Sequence, residues 1–91
     1  MAGFLLAEHE VRDFSQWRKG YLSGLPDRVA AGLTEVKVFR DHASPNLVSM
    51  LFAVDDLAKA KALVESPGLK AHMECIGVVG PMSARFLKEG D

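Results

Sequence analysis

The sequence predicts one α+β domain over residues 1–91, with its elements in the order β-α-β-β-α-β around a four-stranded antiparallel sheet. Three observations carry this. Two apolar, strand-like runs meet across a short turn in the middle of the chain. A capped helical stretch lies on the outer side of each run. A further short apolar run stands at each end.

The first element is "GFLLAEHEV" (3–11), too short for a stable helix and apolar enough at its start for a strand buried on both faces. Asp13 follows, and with Gln16 three residues on it forms an N-cap signature. Phe14, Trp17 and Tyr21 then recur at i, i+3 and i+7, the spacing of one helix face. Gly24 and Pro26 interrupt the helix, and "DRVAAG" (27–32) supplies a further turn or two closed by Gly32.

"LTEVKVFRD" (33–41) alternates and is rich in β-branched and aromatic residues, as a strand is. "HASPN" (42–46) is turn chemistry, and "LVSMLFAV" (47–54) is a nearly continuous apolar run, a strand expected to be covered on both faces. Together they predict a hairpin. Asp55 or Asp56 caps "LAKAKALVE" (57–65), with Leu57, Ala60 and Val64 toward the core. Ser66 and Pro67 restart a helix that Gly77 stops. "VVGPMSARFLKE" (78–89) is the last strand, irregular at Gly80-Pro81.

This is the ferredoxin-like order, which places helices on one sheet face only. The other face also carries apolar residues. A second copy of the sheet covers it most simply, so the chain is expected to pair with itself as a homodimer. A 91-residue domain has a marginal core of its own, which adds to that expectation.

Composition narrows the function classes. Eleven basic residues face twelve acidic ones for a net charge of -1, with no block of like charge, so neither nucleic acid nor an anionic membrane is an expected partner. One cysteine cannot form an internal disulfide, and the start lacks the basic segment of a signal peptide, which together predict a cytoplasmic protein. No G-x-G-x-x-G, Walker, G-x-S-x-G or CxxC pattern occurs, so no nucleotide cofactor or redox dithiol is expected.

The segments "VRDFSQW" (11–17), "RVAAG" (28–32), "RD" at 40–41 with "PN" at 45–46, "SPGL" (66–69) and "MECIGVVGP" (73–81) together resemble small bacterial members of the dimeric α/β-barrel superfamily. The resemblance spans nearly the whole chain. It implies two ferredoxin-like protomers packed sheet to sheet, each with a pocket between its sheet and helices. Relatives include cofactor-independent monooxygenases acting on aromatic polyketides, polyketide cyclases, haem-degrading enzymes and ligand-binding domains. This chain departs from two of their patterns: its first strand has no Asn, Trp17 lies on the first helix, and no Tyr accompanies His72.

The candidate chemistry is sparse. At about 100° per residue, Leu69, Met73 and Ile76 share one helix side, His72 flanks it, and Cys75 lies one step further out. A Cys-His catalytic pair needs a third group to orient the imidazole, and none is near in sequence, so Cys75 reads as an inert small side chain. His9, His42, His72 and Cys75 lack metal-site spacing, so no metal is expected. His42 sits in the turn and reads as exposed. His72 and His9 read either as hydrogen-bonded structural histidines or as pocket bases. Trp17 and Tyr21 read as core aromatics or as pocket walls, with Tyr21 able to hydrogen-bond an apolar ligand. Arg40 reads as a surface arginine or as an anion contact.

Two functions follow. One is a small cofactor-independent enzyme, a monooxygenase, cyclase or isomerase of a small apolar or aromatic molecule, with bases drawn from His9, His72 and Tyr21. The other is a non-catalytic ligand-binding or structural homodimer. An open protomer cavity separates them from a filled one.

Overall fold

Both crossover helices form, and each is broken in two. A computed structural model describes residues 2–90 and gives the elements β1 (Gly3–Val11), α1 (Phe14–Ser23), α2 (Leu25–Ala30), β2 (Leu33–Arg40), β3 (Leu47–Val54), α3 (Leu57–Val64), α4 (Pro67–Cys75) and β4 (Val78–Leu87). The strands lie in the order β2-β3-β1-β4, all neighbours antiparallel. Strand β3 inserts between β1 and β2, which is the split βαβ arrangement.

The helix starts are set by side chains. Asp13 accepts from the Gln16 amide at 2.9 Å, Asp56 from Lys59 at 3.0 Å and Ser66 from Leu69 at 3.1 Å. Each satisfies one amide that the first helical turn would otherwise leave unpaired. Pro26 falls in the first turn of α2, where a missing amide costs nothing, so α2 begins two residues earlier than expected. Gly77, at φ +93°, ends α4 in a conformation that a side chain would strain.

The core is one layer between sheet and helices. Leu5, Ala7, His9 and Val11 of β1 alternate toward it, as do Val48, Met50, Phe52 and Val54 of β3. Trp17, Tyr21 and Ala60 close it from the helices. Within one chain only the helix side of β1 and β3 is closed, as expected of helices on one sheet face. Phe4, Leu6, Leu47, Leu51 and Ala53 turn to the other face. The core side of α3 shifts in part. Ala60 and Val64 face the core as expected, but Leu57 is exposed and Leu63 packs against the core in its place.

Two irregularities shape the sheet. Pairing of β2 with β3 slips between Glu35 and Lys37, which breaks the alternation and leaves Val36 and Phe39 exposed. On the other side, Glu8 pairs with Ser83 and Glu10 with Val79, so β4 carries two extra residues opposite His9. Gly80, at φ +75°, lies in this bulge. Strand β4 ends at Leu87, two residues before its expected end.

Helices α1 and α4 meet at Gly20. A methyl group there would overlap the Ile76 side chain, so only glycine permits this approach. The approach brings α4, and His72 with it, against the end of α1.

Candidate functional site

Between the sheet and the four helices lies a cavity of about 330 Å³. Its walls are mostly apolar: Leu5, Ala7, Leu33, Met50 and Phe52 from the sheet, Leu63, Leu69, Met73 and Ile76 from the helices. His9, Trp17, Tyr21 and His72 also line it, so the four pocket candidates of the sequence come together at one place. They arrive from three elements, β1, α1 and α4, and are as far apart in sequence as residues 9 and 72.

His9 and Trp17 form the polar part of the buried wall. The His9 ring meets Trp17 edge-on with centroids 5.4 Å apart. His9 is 5% exposed and Trp17 is fully buried. Both His9 nitrogens and Trp17 Nε1 are buried without a hydrogen-bond partner among the described residues. Such groups cost about 1–3 kcal/mol each when left unpaired. Burial pushes the His9 imidazole down to about 4, so it is neutral at pH 7.

Trp17 stacks on Tyr21 at 4.8 Å, and Tyr21 reaches outward to donate its hydroxyl to Glu35 Oε1 at 2.8 Å. Arg18 Nη1 lies 3.4 Å from the same carboxylate oxygen. Burial raises the Tyr21 phenol above its ordinary value, and the hydrogen bond to Glu35 adds to that. Tyr21 therefore stays protonated and is committed as a donor, which removes it from the set of bases.

Arg28, on α2, lies over the outer face of the Tyr21 ring with Cζ 3.8 Å from the centroid and donates Nη1 to the Tyr21 carbonyl at 2.7 Å. Burial lowers its pKa, and Tyr21 and Glu35 work in the opposite direction. It lines the cavity beside Gly24 and Asp27. The sequence reading treats this stretch only as a turn of helix. The available signal was the i, i+7 spacing of Tyr21 and Arg28 across the Gly24-Pro26 break.

His72 Nε2 lies 3.1 Å from the Gly20 carbonyl oxygen. The carbonyl can only accept, so Nε2 donates, and in the neutral ring Nδ1 is left as an acceptor. Cys75 is exposed and free, on the outer side of α4. His42 is exposed in the hairpin turn. Arg40 donates to the Pro45 carbonyl at 2.9 Å and covers Phe14 with Cζ 4.1 Å from the ring centroid, so it staples the hairpin to α1. Among the described residues no group of three or more His, Cys, Asp or Glu is placed to hold a metal ion. Among the same residues no helix is long and apolar enough to cross a membrane.

No protein-family model and no curated protein matches this sequence. Solved structures do match it. A candidate antibiotic biosynthesis monooxygenase from Bordetella bronchiseptica superposes with a TM-score of 0.73 at 12% identity, over 97% of this chain and 98% of that one. Another, from Caulobacter crescentus, gives 0.70 at 14% over 99% and 92%. SnoaB, a cofactor-independent oxygenase from Streptomyces nogalater, gives 0.67 at 9% over 96% and 93%. This is the protomer fold of the dimeric α/β-barrel proteins. The likeness is one of backbone: at so few identical residues it is the ferredoxin-like protomer fold that is shared.

Proposed function

We propose that the chain is a cofactor-independent enzyme of the monooxygenase, cyclase or isomerase kind, acting as a homodimer on a small apolar or aromatic molecule held in the protomer cavity. The observation that carries this is the cavity itself. It is apolar over most of its wall, has a volume within the range of small-molecule sites, and gathers His9, Trp17 and His72 at one place. A filled interior would have favoured the non-catalytic alternative. The oxygenase names among the structural neighbours point the same way.

Roles follow from the chemistry of each group. His72 Nδ1 is the candidate base, since Nε2 is used on Gly20. His9 is too weak a base to hold a proton at pH 7. Its nitrogens and Trp17 Nε1, all lacking partners, serve as hydrogen-bonding groups to a polar atom of the ligand once the lining shifts to admit it. Tyr21 holds the wall in place through Glu35.

Trp17 is the single tryptophan, so its emission reports on the cavity directly. Titration with phenols, naphthols and quinols should give a saturable change in that emission, with turnover followed by oxygen uptake or product analysis. His72→Ala should keep binding and lose about 10²–10⁴-fold in turnover. No saturable change with any aromatic would rule out the cavity as a ligand site. Binding without conversion would select the non-catalytic ligand-binding homodimer.

The dimer rests on the sheet face that the helices leave open. Phe4, Leu6 and Leu51 lie there with Phe39 at 48%, Val79 at 43% and Leu87 at 38% exposure. Glu8, Glu10, Lys37 and Arg85 share that face and bring both signs of charge to it. Sedimentation at micromolar concentration should give twice the 9.9 kDa of one chain, and a species of one chain mass would exclude this interface.

A further inference from the structure

We propose that the molecule taken by the cavity carries one carboxylate on its apolar body, and that Arg28 binds this group at the cavity mouth between Gly24 and His72. The inference rests on the reading of the cavity as a ligand site and adds the chemical class of the ligand.

The guanidinium of Arg28 is held in place before any ligand arrives. Its Cζ stacks 3.8 Å from the Tyr21 ring centroid, and Nη1 donates to the Tyr21 carbonyl at 2.7 Å. One of its five N–H donors is used in that bond. Yet among the described residues no carboxylate forms an ion pair with Arg28. Glu35, whose charge acts on Arg28 without an ion pair, is already taken by Arg18 at 3.4 Å and by the Tyr21 hydroxyl at 2.8 Å. Asp27 lines the same mouth and makes no ion pair with it. A half-buried cation with a fixed plane and free donors is suited to an incoming planar anion, which it can grip through two parallel hydrogen bonds.

Gly24 leaves the Nη1 edge of the guanidinium uncovered by any side chain of its own. A Cβ at this position would stand 3.1 Å from Arg28 Nη1 and 3.6 Å from His72 Nε2, so a side chain would crowd the guanidinium and press on the imidazole, whose Nε2 is already given to Gly20. The helix break after Ser23 therefore does more than turn the chain: it opens a polar notch at the rim of an otherwise apolar cavity. An apolar body inside and a carboxylate at the rim satisfy both parts.

The test uses 2-naphthoate and its methyl ester, which share one aromatic body and differ in charge, titrated by calorimetry. The wild-type chain should bind the acid at least about tenfold tighter than the ester. Arg28→Met should bring the two to equal affinity, and Arg28→Lys should keep part of the preference. Gly24→Ala, which narrows the notch without removing a charge, should weaken the acid more than the ester and keeps the test open if Arg28→Met does not fold. Equal wild-type affinities, or a preference that survives Arg28→Met, would overturn the Arg28 assignment while the cavity stands. Failure of both compounds to bind the wild-type chain would remove the cavity reading and this one with it.

Discussion

Trp17→Ala is expected to cost about 3–5 kcal/mol of folding free energy, at the upper end for truncating a single core side chain. Trp17 is fully buried and sits at the centre of an aromatic series. It stacks on Tyr21 at 4.8 Å, meets His9 at 5.4 Å and packs against Phe14 at 5.6 Å. Removing the indole opens a void that joins the 330 Å³ cavity rather than closing, because the neighbouring wall already faces open space. Domains of this size have about 5–13 kcal/mol to lose in total, so the variant should lose about a quarter of its stability at the least. Urea denaturation followed by circular dichroism at fixed protomer concentration measures this directly. Trp17→Phe should cost far less, since it keeps a ring and removes the unpartnered indole N–H. A Trp17→Ala chain within about 1 kcal/mol of wild type would show that the stack is not what holds α1 to the sheet.

The second large effect is a dependence of stability on pH that runs through His9. In the folded chain burial lowers the imidazole from 6.5 to about 4. The unfolded chain therefore binds a proton below pH 6.5 that the folded chain refuses until about pH 4. The contribution is fully present above 6.5 and is lost as pH falls through that window. Its size is at most about 3 kcal/mol. His9→Leu removes the titrating group, so the stability difference between variant and wild type should change by that amount between pH 7.5 and 4. At pH 7.5 the variant should be at least as stable as wild type, because leucine replaces two buried nitrogens that have no partner. Parallel pH profiles for the two proteins would show that His9 is not held neutral by burial.

These two residues also show how far the sequence could be read. The i, i+3, i+7 spacing of Phe14, Trp17 and Tyr21 already placed one aromatic face toward a core, because 3.6 residues per turn leave few other arrangements. His9 was harder. It stands near the polar end of β1, where alternation alone does not say which face is covered. Its burial follows from the register Gly3↔Val54 through Glu10↔Leu47, which puts Leu5, Ala7, His9 and Val11 on the helix side together. Val36 failed for the converse reason. Its alternation looked sound, but the slip between Glu35 and Lys37 reset the phase, and a bulge leaves no reliable mark in sequence. Arg28 was passed over because its meaning depends on Glu35, which lies on another element and takes Arg18 in its place.

Local physics set the elements of this protein from sequence alone. Asp13, Asp56 and Ser66 cap helices through their own neighbours, Gly77 stops one, and the hairpin turn joins two runs that can only be strands. Each of these depends on residues a few positions apart, so short-range chemistry suffices. The tertiary structure alone decided that the space between sheet and helices stays open and that, among the described residues, His9 and Trp17 keep nitrogens without partners there and Arg28 makes no ion pair. Those outcomes turn on which of several side chains, tens of residues apart, arrives first at one acceptor or one volume, and no pattern along the chain encodes that competition.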